Sequence, residues 1–343
     1  MGSITQKNET VLITGISGFV GSWITHAFLD AGYNVRGTVR SEKSIEGVKK
    51  KHAKHADRLS FAIVPDMAAI DALNDAVKGV TGVIHTANPF ILNPKDNEEE
   101  LLKPSISGVL NALRASAKEG SSLRRVVLLA SFASILDLSK GTGPGITYDE
   151  SVWNPATYEE AKASDSGAFT YCAAKALAER AAWDWIEANK PSFSFLTITP
   201  PWIFGPTLGG LKSVEHLNES TEAIWKLVDG SLKTVPDPDF AGCADVRDVA
   251  LAHVRGYELE EAGGERFIVG GSFEYQTAVD ILRKEFPQIK DRIPEGTPGH
   301  PPEIYAIDNS KVKKVLGIKL TPVDVTLKDT VAGLLDAEKN SAS

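Results

Sequence analysis

Thr14-Gly15-Ile16-Ser17-Gly18-Phe19-Val20-Gly21 decides how the rest of the chain is read. The stretch follows a short apolar run, Val11-Leu12-Ile13, and leads into an amphipathic segment reaching Leu29. Strand, glycine turn and helix together make a nucleotide-binding βα unit. Three glycines recur at every third position. One tightens the turn, one lets backbone approach a pyrophosphate, and one allows helix and strand to pack closely. The helix N-terminus then presents free N–H groups and a partial positive charge to the phosphates. The spacing is GxxGxxG, not the commoner GxGxxG, so the flanking strand and helix carry much of the argument. On that basis Gly15, Ser17, Gly18, Phe19, Val20 and Gly21 are expected to cradle a dinucleotide.

Outward from this turn, apolar runs alternate with helical patterns. Val11–Thr14, Asn34–Val39, Leu59–Val64, Gly82–Thr86 and Val126–Leu129 read as strands. Periodic segments near 18–32, 41–55, 68–78 and 96–119 read as the helices between them. A long helix from 169 to 189 precedes a sixth strand at Ser194–Thr199. Such alternation predicts an α/β fold, a Rossmann-type doubly wound parallel sheet with helices on both faces. Strands buried on both sides need continuous apolar runs, as found here. After Pro200 the texture changes, with Pro200-Pro201, Gly205-Pro206 and Gly209-Gly210 breaking the chain. Helical patterns persist near 213–230, 245–260, 275–285 and 325–338. The expected division is a dinucleotide-binding domain over 1–205, with 242–272 returning to it. A smaller substrate-binding lobe takes 206–241 and 273–343, and the tail from Asn340 is expected to fray.

The bulk numbers narrow the classes. The chain has 343 residues, 42% hydrophobic and 24% charged, an ordinary globular balance that gives no case for disorder. A net charge of −8 argues against a nucleic-acid backbone binder. The two cysteines, Cys172 and Cys243, form no CxxC, and no Cys/His set has zinc-ligand spacing, so no metal is expected. The start, MGSITQKNET, lacks a signal-peptide apolar core, and no run of about 18 apolar residues occurs. A cytoplasmic protein without a membrane partner is the expectation.

The second strand selects the cofactor. A site for an unphosphorylated ribose carries Asp or Glu about 20 residues beyond the fingerprint's start. Here the stretch reads Val35-Arg36-Gly37-Thr38-Val39-Arg40-Ser41, with no acid between Asp30 and Glu42. Arg40 stands where the strand should end, beside the cofactor. Arg36 is roughly 13 Å back along an extended strand and is expected to be solvated at the far edge. Arg40, with help from Lys43, therefore suits a ribose 2′-phosphate, and the cofactor expected is NADP(H).

The chemistry is expected from Tyr171-Cys172-Ala173-Ala174-Lys175, where Tyr and Lys at i and i+4 share one helical face. A lysine ammonium near a phenol lowers its pKa, tuning it for proton exchange with a carbonyl oxygen. A hydroxyl from the end of the fifth strand should fix that oxygen. Ser131 follows the apolar run directly, and Ser134 is the alternative three residues on. Phe90, Phe132 and Trp202 follow strands four, five and six and should converge as an aromatic wall for the apolar part of a substrate. His85 sits inside an apolar strand and reads as structural. Glu98-Glu99-Glu100 reads as a solvated helix face, and Arg247 with the flanking Asp245 and Asp248 as a structural ion pair.

TGISGFVG, VRGTVR, VIHTANPF, LLASFASI, WNPAT, YCAAK, PPWIFGP and DVRDVALAH run from residue 14 to 253. Together they resemble the extended short-chain dehydrogenase/reductases. The similar branch is the fungal ketoreductase and methylglyoxal reductase type, related to plant dihydroflavonol and cinnamoyl-CoA reductases. The resemblance implies a triad of Ser131, Tyr171 and Lys175, with Asn111 helping to hold a water near the lysine. It implies that Asp66 and Met67 lie near the adenine, that Thr86 and Ala87 line the cofactor site, and that the Pro200–Ile203 backbone, including Trp202 and Ile203, faces the nicotinamide carboxamide. Departures include Leu129-Ala130, where the family often has hydroxyl residues, Asn88, and the doubled proline at Pro201.

The function expected is NADPH-dependent reduction of a small-molecule ketone or aldehyde to an alcohol, with Tyr171 as proton donor. A nucleotide-sugar epimerase or dehydratase on the same scaffold is one alternative; Arg40 and the aromatic strand ends speak against it. A non-catalytic dinucleotide sensor is the other, against which stands the retained YxxxK. Oligomeric state, monomer or homodimer, stays open.

Overall fold

The computed structural model describes residues 7–341. The first six residues of the polar start lie outside that range. In chain order the strands are β1 (Thr10–Ile13), β2 (Asn34–Val39), β3 (Leu59–Ile63), β4 (Gly82–His85), β5 (Arg125–Leu129), β6 (Thr147–Tyr148), β7 (Ser194–Ile198), β8 (Trp202–Phe204), β9 (Gly242–Asp245), β10 (Arg266–Phe267), β11 (Gly271–Ser272) and β12 (Ala306–Ile307). The α-helices are α1 (Phe19–Asp30), α2 (Ile45–Lys51), α3 (Lys103–Glu119), α4 (Tyr158–Ala163), α5 (Gly167–Asn189), α6 (Glu219–Val228), α7 (Val246–Glu258), α8 (Tyr275–Glu285), α9 (Ser310–Val315) and α10 (Val323–Ser341).

Seven strands pair in parallel in the order β10-β7-β5-β4-β1-β2-β3. The order reverses between β1 and β4, and a crevice opens at the carboxyl ends of the strands on either side of such a switch. One face of the sheet packs on Ile24 and Phe28 of α1 and Val249 and Ala252 of α7. The other packs on Val109 and Leu113 of α3 and Ala178 and Ala182 of α5. A third core joins Ile224 of α6, Leu282 of α8 and Leu327, Val331 and Leu334 of α10. Two small sheets, β11-β9-β8 and β12-β6, connect this part to the main sheet. Arg247 on α7 pairs with Asp245, Nη2 to Oδ2 2.7 Å, and reaches Asp329 on α10 at 2.6 Å, while Asp248 turns away to Thr321.

The structure corrects four local expectations. Residues 68–78 form a series of turns, not a helix. Their carbonyls are drawn elsewhere: Asn111 Nδ2 donates to the carbonyls of Met67, Ala68 and Ala69 at 2.9–3.1 Å, and Arg36 Nη1 donates to those of Ala76 and Lys78. Asp71 also takes φ +61°, outside the helical region. Arg36 is thus bound to backbone and not simply solvated. Glu98, expected on a solvated face, pairs with Lys162 at 2.8 Å and accepts from the Tyr158 hydroxyl. Asn340 and Ser341 continue α10; residues 342–343 lie outside the described range.

Candidate active site

The glycine turn is built to a tight tolerance. Gly15 has φ +69°, a left-handed conformation that costs other residues but not glycine. Its N–H donates to Thr38 Oγ1 of β2 at 3.0 Å, which ties the turn to the neighbouring strand. A Cβ at Gly21 would stand 2.3 Å from the Gly15 carbonyl oxygen, so α1 can meet the turn only with glycine there. Thr14 Oγ1 accepts from the N–H groups of Thr86 and Ala87 at 2.9 and 3.0 Å. With both lone pairs used, its own hydrogen goes to His85 Nδ1, 3.1 Å away. His85 is buried and neutral, its pKa lowered by burial to about 4. The ends of β1 and β4 are thereby zipped beneath the turn.

Above this turn a cleft of about 910 Å³ runs along the carboxyl ends of the strands. Gly15 and Ser17–Gly21 border it, with Arg40 after β2, Asp66 and Met67 after β3, and Thr86, Ala87 and Phe90 after β4. Ser131 and Phe132 follow β5, and Pro200, Trp202 and Ile203 follow β7. Arg40 is exposed and, among the described residues, has no hydrogen-bond or ion-pair partner. Lys43 does not reach the wall. It lies in a short 3₁₀ turn, Glu42–Ser44, whose next residue, Ser44, faces the cleft in its place.

Ser131, Tyr171 and Lys175 come together on one wall. Lys175, almost fully buried, points its Nζ at the Leu129 carbonyl, 3.4 Å away, at the end of β5. Burial lowers its pKa to about 8, partly offset by Glu179 one turn on. The Tyr171 phenol lies beside this lysine in the cleft wall. Burial pushes that phenol well above its ordinary value, the Cys172 side chain adds to the rise, and a hydrogen bond with Ser131 opposes it. A phenol so placed holds its proton throughout the neutral range. Ser134, the alternative, is fully buried and does not border the cleft. Asn111, expected to help hold a water near the lysine, uses its side-chain amide elsewhere. It does not border the cleft, because its amide is committed to the 67–69 carbonyls, where it anchors the loop that carries Asp66 and Met67.

The aromatic wall is partly as expected. Phe90, 43% exposed, stands edge-on to Tyr171 with centroids 4.6 Å apart, and Trp202 lies 6.4 Å beyond it. Phe132 departs: its ring is 1% exposed and packs against Tyr148 and Tyr305. The chain after β5 needs that ring to seal the core under the loop. Its place is taken by Phe240, 5.5 Å from Trp202, which no sequence signal marked because it lies in an aperiodic loop. Asn218, Glu219 and Ser220 also border the cleft from the start of α6. Here a signal existed, since Asn218 followed by Glu219 is an N-cap signature and its Oδ1 accepts from the Thr221 N–H.

Away from the cleft, His26, Asp30 and His55 lie close together. Arg58 Nη2 is 2.7 Å from His55 Nδ1, and a guanidinium only donates. His55 Nε2 therefore carries hydrogen and gives it to Asp30 at 2.6 Å, which makes the trio a hydrogen-bond relay between α1 and the segment after α2.

A sheet of this order, a glycine cradle at its switch point and a Ser-Tyr-Lys wall define a class. The chain belongs to the NAD dependent epimerase/dehydratase family, whose model matches residues 11–224. It is 34% identical to the NADPH-dependent methylglyoxal reductase GRE2 of Saccharomyces cerevisiae, over 96% of this chain and 99% of that protein. It is 35% identical to the ketoreductase azaE of Aspergillus niger, over 98% and 99%. The crystal structure of yeast methylglyoxal/isovaleraldehyde reductase complexed with NADPH matches with a TM-score of 0.90 at 33% identity, covering 96% of this chain and 99% of that one.

Proposed function

We propose that this protein is an NADPH-dependent carbonyl reductase that converts ketones or aldehydes to alcohols. One observation carries the reading. Ser131, Tyr171 and Lys175 share a wall of the cleft that also holds, past the glycine turn, the guanidinium of Arg40, which has no partner among the described residues. An elongated dinucleotide fits between those two ends. Gly15 and Ser17–Gly21 would hold its pyrophosphate, Arg40 its 2′-phosphate, Asp66 and Met67 its adenine end, and Thr86, Ala87 and the Pro200–Ile203 backbone its nicotinamide half. NADPH bound there supplies the hydride.

The protein's own part is orientation and proton transfer. The Ser131 hydroxyl donates to the substrate carbonyl oxygen and polarises it. Tyr171, kept protonated by burial, gives its proton to the same oxygen. Lys175 holds the ribose and offers a charge to the phenolate that remains. Phe90, Trp202 and Phe240 exclude water from the reacting carbonyl and receive its apolar substituent. The two-lobe division at 205, with 242–272 returning to the sheet, is our reading of how the substrate reaches this wall. So is a cytoplasmic location; among the described residues no helix is long and apolar enough to cross a membrane.

Tyr171→Phe is the test. It should keep NADPH binding and lose roughly a thousandfold in turnover, within the range for a general acid. Unchanged turnover would overturn the assignment. Binding of NADPH with no oxidation by any carbonyl in the wild type would favour a sensor, and stoichiometric NAD retained on purification would favour an epimerase.

A further inference from the structure

We propose that Asp239 is a positioning residue that sets the size of substrate the cleft accepts, by holding Trp202 in place. The proposal rests on the carbonyl-reductase reading. Asp239 lies in the loop between α6 and β9, next to Phe240 of the cleft wall, and does not itself border the cleft. Its Oδ1 accepts from Trp202 Nε1 at 3.1 Å and from the Phe240 N–H at 2.5 Å. The Tyr275 hydroxyl donates to the same carboxylate, 3.1 Å from Oδ2 and 3.3 Å from Oδ1. Tyr275 opens α8 and is buried. One carboxylate thus ties β8, the 239–240 loop and α8.

Trp202 is the part such a tie controls. It is partly exposed, and its ring stands edge-on between Phe90 and Phe240, at 6.4 and 5.5 Å. Edge-on aromatic contacts alone leave a ring free to pivot, whereas an anchored indole N–H fixes which edge meets the cleft. An aryl or branched substituent on the carbonyl packs against that edge. A two-carbon aldehyde does not extend that far from Tyr171. Removing the anchor therefore penalises large substrates selectively. Trp202, Phe240 and Tyr275 all reach Oδ1, so an amide oxygen at this position serves as well and the negative charge is dispensable.

The test is steady-state kinetics on the full chain at saturating NADPH, with acetaldehyde and benzaldehyde. Asp239→Ala is expected to raise KM for benzaldehyde about tenfold, the size of one lost hydrogen bond, and to leave kcat and the acetaldehyde constants within about twofold. Asp239→Asn should return the benzaldehyde KM to within about twofold of wild type. In a Trp202→Phe background, which has no indole N–H, Asp239→Ala should add no further selectivity. Equal loss on both aldehydes, an Asn variant as impaired as the Ala variant, or an undiminished effect in the Trp202→Phe background would each overturn the inference alone. Wild type that reduces neither aldehyde would overturn the reductase reading and this inference with it.

Discussion

Arg40 is one guanidinium at the end of a strand whose fork has no partner among the described residues, and that arrangement suits a phosphate dianion. Arg40→Ala should raise KM for NADPH roughly tenfold to a hundredfold, the range for a lost charge-assisted contact, with KM for NADH little changed. Equal losses with both cofactors would show that Arg40 does not meet the 2′-phosphate. Its neighbour Lys43 lies in the 3₁₀ turn Glu42–Ser44, of which Ser44 borders the cleft. Tyr171 and Lys175 are legible from spacing because a helix puts i and i+4 on one face. Their protonation is not. It depends on burial, which lifts the phenol and brings the lysine down to about 8.

The turn between β1 and α1 shows how an element constrains its own residues. Gly21→Ala places a methyl carbon 2.3 Å from the Gly15 carbonyl oxygen, a rigid backbone atom. The helix must shift or the turn must open. We expect a loss on the order of 2 kcal/mol, despite the better helix propensity of alanine, and a weaker grip on NADPH. Thermal unfolding and cofactor titration check both, and an unchanged melting temperature would show that the turn yields freely. The segment after β3 makes the opposite point. Its apolar period suggests a helix, yet Asn111 and Arg36 take its carbonyls and leave turns. Tertiary hydrogen bonds to residues 40 to 44 positions away outweigh a weak local preference, and no inspection of 68–78 alone reveals them.

Across the whole molecule, His52, His85 and His253 lie buried with pKa values lowered to about 4, mainly by loss of solvation. In the unfolded chain these rings take protons near 6.5, so between that value and about 4 the unfolded state binds more protons than the folded one. Stability is therefore full above pH 6.5 and falls as pH drops toward 4, on the order of 3 kcal/mol per histidine at the limit. Melting temperatures measured from pH 7.5 to 4 should decline most steeply in that window. His253→Leu should flatten the decline; an identical profile in the variant would remove that histidine from the account.

The sheet was legible because its strands are buried on both faces and must be continuously apolar, and because glycines at the β1–α1 turn have few other uses. Strand ends then placed Arg40, Ser131 and Trp202 at one edge, since parallel strands all finish on the same side. These are consequences of local chemistry repeated along the chain. The tertiary structure decided the rest. It set Ser131 on the cleft and buried Ser134, turned Asn111 to the 67–69 loop, sealed Phe132 in the core, and brought Phe240 and Asp239 to Trp202 from a loop nearly forty residues on. Each of those outcomes depends on contacts between segments distant in sequence, where burial and hydrogen-bond competition, not spacing, select the partner.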